Sequence, residues 1–178
     1  MKIGIDLDNV LNNLTREWIN TYNLNEGSNI ALEDVTDYNM TSNEGITTNI
    51  FKYFNDELME RLVPLPDSIK VTEQLGQDHE LFIITATYPE NMKIKMEWLA
   101  EHFPHIPKRN IIVTSRKEMI NIDVLIDDAP ENVYNFNQWD RVIVFDYAWN
   151  RQVDENTPRV KDWSEVMDKI NELGIYVQ

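Results

Sequence analysis

Five short apolar runs, residues 2–6, 81–85, 110–114, 124–126 and 141–145, recur along a chain of 178 residues. None alternates cleanly between apolar and polar side chains. Near-continuous apolarity over so few residues is the pattern of strands buried on both faces of a parallel sheet. Helical patterns fall between the runs. Pro66-Asp67 opens one that carries Ile69, Val71, Thr72 and Leu75 and ends at Gly76, and Pro89-Glu90 opens another through Ile94, Trp98 and Leu99. Pro130-Glu131 begins a third with Val133, Tyr134 and Phe136. Asp162 and Glu165 read as a capping box for a last helix carrying Val166, Ile170 and Leu173 before Gly174. Strands alternating with helices predict an α/β fold, a doubly wound, Rossmann-like parallel sheet of five strands.

One interval breaks the alternation. Some 75 residues separate the first run from the second, far more than a single crossover helix needs. Within it, residues 10–22 and 47–62 have helical character, and a polar stretch with Gly27, Asp34, Asp37 and Gly45 lies between them. The expectation is a small helical cap, residues 16–63, inserted after the first strand into a core made of 1–15 and 64–178. Residues 148–159 are polar and aperiodic and read as a loop beside the site.

The chemistry is concentrated where the strands end. Ligands of open α/β sheets bind outside the carboxyl ends of the strands. After the first strand come Asp6 and Asp8, two residues apart and therefore on one side of an extended chain. After the second comes Thr85, beyond the third Lys117, and after the fourth the pair Asp127-Asp128. Carboxylates that crowd together persist when a cation sits among them. Magnesium takes oxygen ligands and commonly shares one or two carboxylates with a phosphate. A carboxylate can attack phosphorus, a second carboxyl can protonate the leaving alkoxide, and a hydroxyl and an ammonium can hold the non-bridging oxygens. Taken singly, each residue has a plainer reading. Thr85 suits any strand end, Lys117 any solvated surface, and the acid pair before Ala129-Pro130 the start of a helix. Their joint placement on one rim favours a single site.

Charge and composition narrow the partners. With 31 acids against 16 bases the formal net charge is -15, which speaks against a nucleic-acid polymer as ligand. A small anion remains acceptable, because a metal and a few placed cations reverse the field locally. There is no cysteine, so thiolate chemistry and disulfides are excluded. No apolar run is long enough to span a bilayer, and Lys2 leads straight into a strand rather than a leader sequence, so a cytoplasmic protein free of membranes is expected. His79, His102 and His105 are scattered and do not suggest a metal site.

The order Asp-x-Asp, Thr, Lys, Asp-Asp resembles the haloacid dehalogenase (HAD) superfamily of aspartyl-phosphate phosphatases. Within it, Asp6-Leu7-Asp8-Asn9-Val10-Leu11, the cap at that position, Leu65-Pro66-Asp67 and Leu125-Ile126-Asp127-Asp128 resemble the 5'(3')-deoxyribonucleotidases. The resemblance implies a magnesium-dependent phosphomonoesterase acting on deoxyribonucleoside monophosphates. Asp6 would be nucleophile and metal ligand, and Asp8 general acid and base with its backbone carbonyl on the metal. Lys117 would stabilise the phosphoryl group and the nucleophile. Asp127 would be the carboxylate ligand, with Asp128 close to the metal's waters. Thr85 and the backbone of Ala86 would bind phosphate, Ala86 standing where nucleotidases often carry serine, with Thr87 the nearest substitute hydroxyl. Asn9 and the cap residue Trp18 complete the candidate substrate contacts, although Trp18 and Tyr22, spaced i, i+4, share a helix face and suit packing against the core better than contact with a base. Arg151 and Arg159 are candidate phosphate or cap contacts, and Trp139, Trp149 and Trp163 are expected to pack the last layer. The expected partner is a small nucleoside monophosphate, and a homodimer is compatible with the sequence.

Three other readings compete. Another small phosphomonoester would use the same chemistry under a different cap. A signalling receiver domain also gathers Asp, Thr and Lys around magnesium, but its acidic pair comes first and its Lys last. A silent binding protein on this fold would have no need of both Asp6 and Asp8.

Overall fold

The computed structural model describes residues 1–136 and 139–174. Six parallel strands form one sheet: β1 (Lys2–Ile5), β2 (Glu80–Thr85), β3 (Ile111–Val113), β4 (Val124–Asp127), β5 (Val142–Phe145) and β6 (Arg159–Val160), in the spatial order β3-β2-β1-β4-β5-β6. Ile5 lies in register with Ile83 on one side and Ile126 on the other, so β1 sits at the point where the winding reverses. Both faces are covered. Ile3, Ile5, Ile126, Ile143 and Phe145 point into the larger core, and Ile84, Leu125, Val142 and Val144 into a second, smaller one. Successive residues of a strand therefore face opposite layers, the geometry that removes polar alternation from the sequence. Gly4 lies between the layers at a close approach. A Cβ there would stand 2.5 Å from Ile122 Cδ1 and 2.7 Å from Ile84 Cδ1.

Among the described residues the expected five strands are six. The additional β6 is two residues long and pairs with β5 through Val144 with Arg159 and Phe145 with Val160. A pair of residues carries no period, and tertiary pairing alone makes it a strand.

Helices α1 (Leu14–Glu26), α2 (Asp56–Glu60), α3 (Ser68–Asp78), α4 (Met92–His102), α5 (Pro130–Asn135) and α6 (Trp163–Gly174) complete the fold. Val71 and Leu75 of α3, Trp98 and Leu99 of α4, and Val166 and Ile170 of α6 enter the larger core, and Val133 of α5 the smaller. α3 continues past Gly76 to Asp78, since a helical glycine ends nothing unless it turns left-handed. Gly27 does so, at φ 67°, and closes α1.

The interval between β1 and β2 contains α1, a few short turns and α2. The helix expected from residue 10 begins at Leu14, because Asn9 is left-handed at φ 62° and the chain turns before it can coil. The helix expected over 47–62 is broken in two. Asn49 caps a single 3-10 turn, Ile50–Tyr53, and Asn55 caps α2 by accepting from the Leu58 N–H at 3.1 Å. Each asparagine offers the backbone a side-chain partner and restarts the coil. Trp18, Ile19, Tyr22, Ile50, Leu58 and Met59 join the main core, so the insertion packs onto the sheet domain rather than standing away from it. The Tyr22 hydroxyl accepts from the N–H groups of Thr47 (2.9 Å) and Thr48 (3.3 Å), tying the two halves of the insertion. Trp163 is fully buried and donates to the Val10 carbonyl at 2.7 Å. The Trp139 side chain falls outside the described residues. No helix among the described residues is long and apolar enough to cross a membrane.

Candidate active site

The carboxyl ends of β1 and β4 are neighbours, and three buried carboxylates meet there. Asp6, Asp127 and Asp128 each place an oxygen within 4.8 Å of the others. The strand register does this: the Asp6 N–H donates to the Ile126 carbonyl at 2.9 Å, continuing the ladder one residue beyond β1. Lys117, only 2% exposed, comes from the turn after β3 and donates from Nζ to Asp6 Oδ1 (2.5 Å) and Asp127 Oδ2 (2.7 Å).

The acids are not equivalent. Asp127 is saturated: besides Lys117 it accepts from the Ala129 N–H at 2.9 Å and from Asn132 Nδ2 at 3.0 Å on each oxygen. Asp128 accepts from Asn9 Nδ2 at 3.1 Å through Oδ2, and its Oδ1 has no partner. Burial drives the Asp6 carboxyl upward, Lys117 opposes it, and the charges of Asp127 and Asp8 push it up again, to about 7. Burial, followed by Asp6 and Asp127, likewise raises Asp128 well above the ordinary carboxylate range. Lys117 is raised because its two acid partners outweigh its burial, so it stays an ammonium.

Three acids against one ammonium leave the pocket short of positive charge. The donor set is all oxygen, and one oxygen is orphaned in a fully buried residue. These are the terms on which a hard dication is held, and they suit magnesium better than a metal needing imidazole or thiolate. Asp8 stands apart from this cluster. Its carboxylate is paired with Lys95 Nζ and accepts from Asn12 Nδ2 at 3.1 Å. The expected metal set of Asp6, Asp8, Asp127 and Asp128 is thus gathered in three of its four side chains, and the free oxygen belongs to Asp128 rather than Asp127.

Thr85 closes β2 beside β1, nearly inaccessible, and Ala86 follows it exposed on the rim. The amide of Asn9 is engaged at both ends, donating to Asp128 and accepting from the Thr15 N–H at 2.8 Å, so its side chain organises the loop. Trp18 is occupied within the insertion. Its Nε1 donates to the Ile50 carbonyl at 3.0 Å, and its ring packs 5.3 Å from Phe51 and 4.9 Å from Phe54. Arg159 is held by Asp146 (2.8 Å) and Asn150 Oδ1 (2.7 Å) and serves the loop after β5. Arg151 lines, with Arg16 and Lys161, a cleft of about 410 Å³ that includes Tyr147 but none of the carboxylates Asp6, Asp8, Asp127 and Asp128. That cleft lies beside the chemistry, not over it.

A family model described as "5' nucleotidase, deoxy (Pyrimidine), cytosolic type C protein" matches residues 1–174. The chain belongs to this family. Among its relatives, the 5'(3')-deoxyribonucleotidase of Bacillus subtilis (strain 168) is 29% identical over 170 residues, covering 94% of this chain and 97% of that one. The 5'(3')-deoxyribonucleotidase of Clostridium acetobutylicum is 31% identical over 168 residues, covering 92% and 91%. A conserved haloacid dehalogenase-like protein of unknown function from Agrobacterium tumefaciens superposes with a TM-score of 0.67 at 12% identity, over 97% of this chain and 98% of its own, which places the fold among the HAD-like proteins.

Several residues that shape this nucleotidase-family site carry no motif. Asn132, in the first turn of α5, braces Asp127. Asn150, fully buried, donates to the carbonyls of Asp128 (2.9 Å) and Phe145 (2.7 Å). Tyr147 donates to the Asn9 carbonyl at 2.8 Å and stacks 4.2 Å from Trp149. Tyr38 comes from the insertion, 44% exposed, with its ring 6.4 Å from Trp149; partial desolvation and then the charges of Asp128, Asp6, Asp127 and Asp8 raise its hydroxyl above its ordinary value. Lys95 had a visible signal, a lone lysine three residues before Trp98 and four before Leu99 on the buried side of α4.

Proposed function

We propose that the protein is a magnesium-dependent phosphomonoesterase that removes the 5' or 3' phosphate of deoxyribonucleoside monophosphates through an aspartyl-phosphate on Asp6. The observation that carries the reading is the buried Asp6–Asp127–Asp128 cluster, bridged by Lys117 at the winding reversal of the sheet, in a chain of this family. The names of the relatives support the substrate class.

Asp6 attacks phosphorus as the ester P–O bond breaks, and Asp8 gives its proton to the departing alkoxide. Water then attacks the phosphorus of phospho-Asp6. Asp8 takes that water's proton, the bond to Asp6 breaks, and orthophosphate leaves. Lys117 keeps the charge of Asp6 balanced and, with Thr85 and the Ala86 N–H, faces the non-bridging oxygens. Asp6 and Asp128 are the carboxylates that would hold magnesium, the latter through its free Oδ1, with the Asp8 carbonyl completing the protein's share. Asp127 fixes Lys117 instead. Magnesium, when bound, supplies Lewis-acid polarisation of the phosphoryl group and offsets the excess of negative charge. The insertion, residues 16–63, would act as the cap that selects the ester.

The test is phosphate release across 5' and 3' ribo- and deoxyribonucleoside monophosphates, sugar phosphates and nitrophenyl phosphate, with magnesium or with excess chelator, and with Asp6→Asn as control. Selective, chelator-sensitive turnover of deoxyribonucleotides is the expected result. Turnover of sugar phosphates in preference would replace the substrate, and full activity in chelator would remove the metal.

A further inference from the structure

One buried charge has no part in the mechanism so far. Lys95, on α4, is 4% exposed, and Asp8 is its only carboxylate partner among the described residues. The two oxygens of Asp8 are held separately, Oδ2 by Lys95 Nζ and Oδ1 by Asn12 Nδ2 at 3.1 Å. Asn12, itself buried, is fixed in turn by accepting from the N–H groups of Leu14 (3.0 Å) and Asn9 (3.3 Å). The walls around Lys95 are Leu7, Met59, Leu62, Ile94 and Trp98, enclosing about 10 Å³, no more than room for one water. Trp98, one turn along α4, donates to the Leu62 carbonyl at 2.8 Å and seals this side against the end of the insertion.

Stability does not account for Lys95. Taking an ammonium out of water costs several kcal/mol, and a solitary buried pair rarely exceeds the apolar packing that could replace it. What the pair does supply is direction. A free carboxyl rotates in a broad, two-fold well about its last torsion. A group that hands a proton to one oxygen must lie within hydrogen-bond reach of it, and the rate depends steeply on that aim. With one donor on each oxygen the rotation is stopped, while each oxygen keeps a second lone-pair site for the transferred proton.

We propose that Lys95 is a positioning residue for leaving-group protonation: with Asn12 it clamps the Asp8 carboxyl toward the ester oxygen and acts on the reaction through Asp8 alone. The inference rests on the reading of Asp8 as the acid and base of a phosphatase. In the first half-reaction the ester P–O bond breaks as the Asp6–phosphorus bond forms, and the Asp8 proton goes to the ester oxygen. In the second, Asp8 recovers a proton from the attacking water.

The ester decides the test. Nitrophenolate departs without a proton, whereas a nucleoside or glycerol alkoxide needs one. Lys95→Met and Lys95→Arg are compared with wild type, full chain with magnesium, on nitrophenyl phosphate, glycerol phosphate and a deoxyribonucleoside monophosphate. For Lys95→Met, kcat/KM, which excludes the hydrolysis of phospho-Asp6 common to all esters, falls about 10- to 100-fold on the two alkyl esters and by less than about 3-fold on nitrophenyl phosphate. Lys95→Arg recovers part of the loss. The ratio between esters is taken on one preparation, so a misfolded fraction cancels. If Lys95→Met does not fold, Asn12→Ala releases the other Asp8 oxygen and must shift the same ratio. Equal losses on all esters, or none, overturn the proposal. If wild type hydrolyses glycerol phosphate but no nucleotide, the substrate reading fails by itself and the ratio on glycerol phosphate still decides Lys95. If wild type hydrolyses no ester, both fall.

Discussion

Asp6→Asn is expected to abolish turnover and, in the same protein, to raise the stability of the metal-free chain at neutral pH. On the proposed mechanism the nucleophile is lost, so kcat falls by about three orders of magnitude or more. The stability gain follows from what surrounds the carboxyl. Burial raises it, Lys117 lowers it, and Asp127 and Asp8 raise it again, from 3.8 to about 7. An acid whose folded value lies above its unfolded one contributes stability that is complete below about pH 4 and lost as the pH rises through about 7. At pH 8 that displacement corresponds to a ceiling of about 4 kcal/mol against the folded state. The charge of Asp6 in turn raises Asp128, so a proton taken by one relieves the other and the step is not that of Asp6 alone. The amide keeps an acceptor oxygen for Lys117, and Asp127 at 2.7 Å keeps that ammonium paired. Of the ceiling, roughly 2–4 kcal/mol is realised, or about 4–16 °C in Tm for a chain of this length. The assay is thermal unfolding in chelator between pH 5 and 8. Wild-type Tm falls across this range, Asp6→Asn falls less, and the two separate most at pH 8. Magnesium then raises wild type more than the variant, by linkage. A variant that melts at or below wild type at pH 8, or with the same pH slope, refutes the account of a strained cluster awaiting a cation.

Two further expectations concern the frame around the site. Burial would raise Asp37, but donors from Ser42 (N and Oγ), Thr41 and Asn39 bring it down to about 2. Its contribution is therefore present above about pH 4 and lost as the pH falls toward 2. Amide exchange at Thr41 and Ser42 should quicken across that window, and Asp37→Asn should remove the pH dependence; unchanged protection would count against the hydrogen-bond account. Gly4→Ala places a methyl 2.5 Å from Ile122 Cδ1 and 2.7 Å from Ile84 Cδ1, so it should lower stability in urea by about 1–3 kcal/mol. A loss below about 0.5 kcal/mol would mean that those side chains step aside freely.

The motif residues were legible because each belongs to a local pattern, an apolar strand followed by a polar rim. Asp6, Lys117 and Asp127 therefore meet where strand-end logic places them. The supports were less legible. Asn132 and Asn150 are common residues whose partners lie across a loop, and nothing local distinguishes them from solvated asparagines. Trp18 has the residue type of a base-stacking platform, yet its N–H and ring are engaged by Ile50, Phe51 and Phe54. The broken helix over 47–62 turned on two asparagine caps, where competition between side chain and helix outweighs periodicity.

By itself, then, the sequence determined the class of fold and the acids and lysine at the strand ends, since apolar runs and the residues just after them are local properties of a chain, while the strand order that brings β1 beside β4 is tertiary. Only the tertiary structure decided which of two adjacent acids keeps a free oxygen, and that a second lysine grips Asp8 while β6 closes the sheet edge. Those outcomes depend on which side chain wins each donor when segments far apart in sequence are packed together, and that competition leaves no periodic trace.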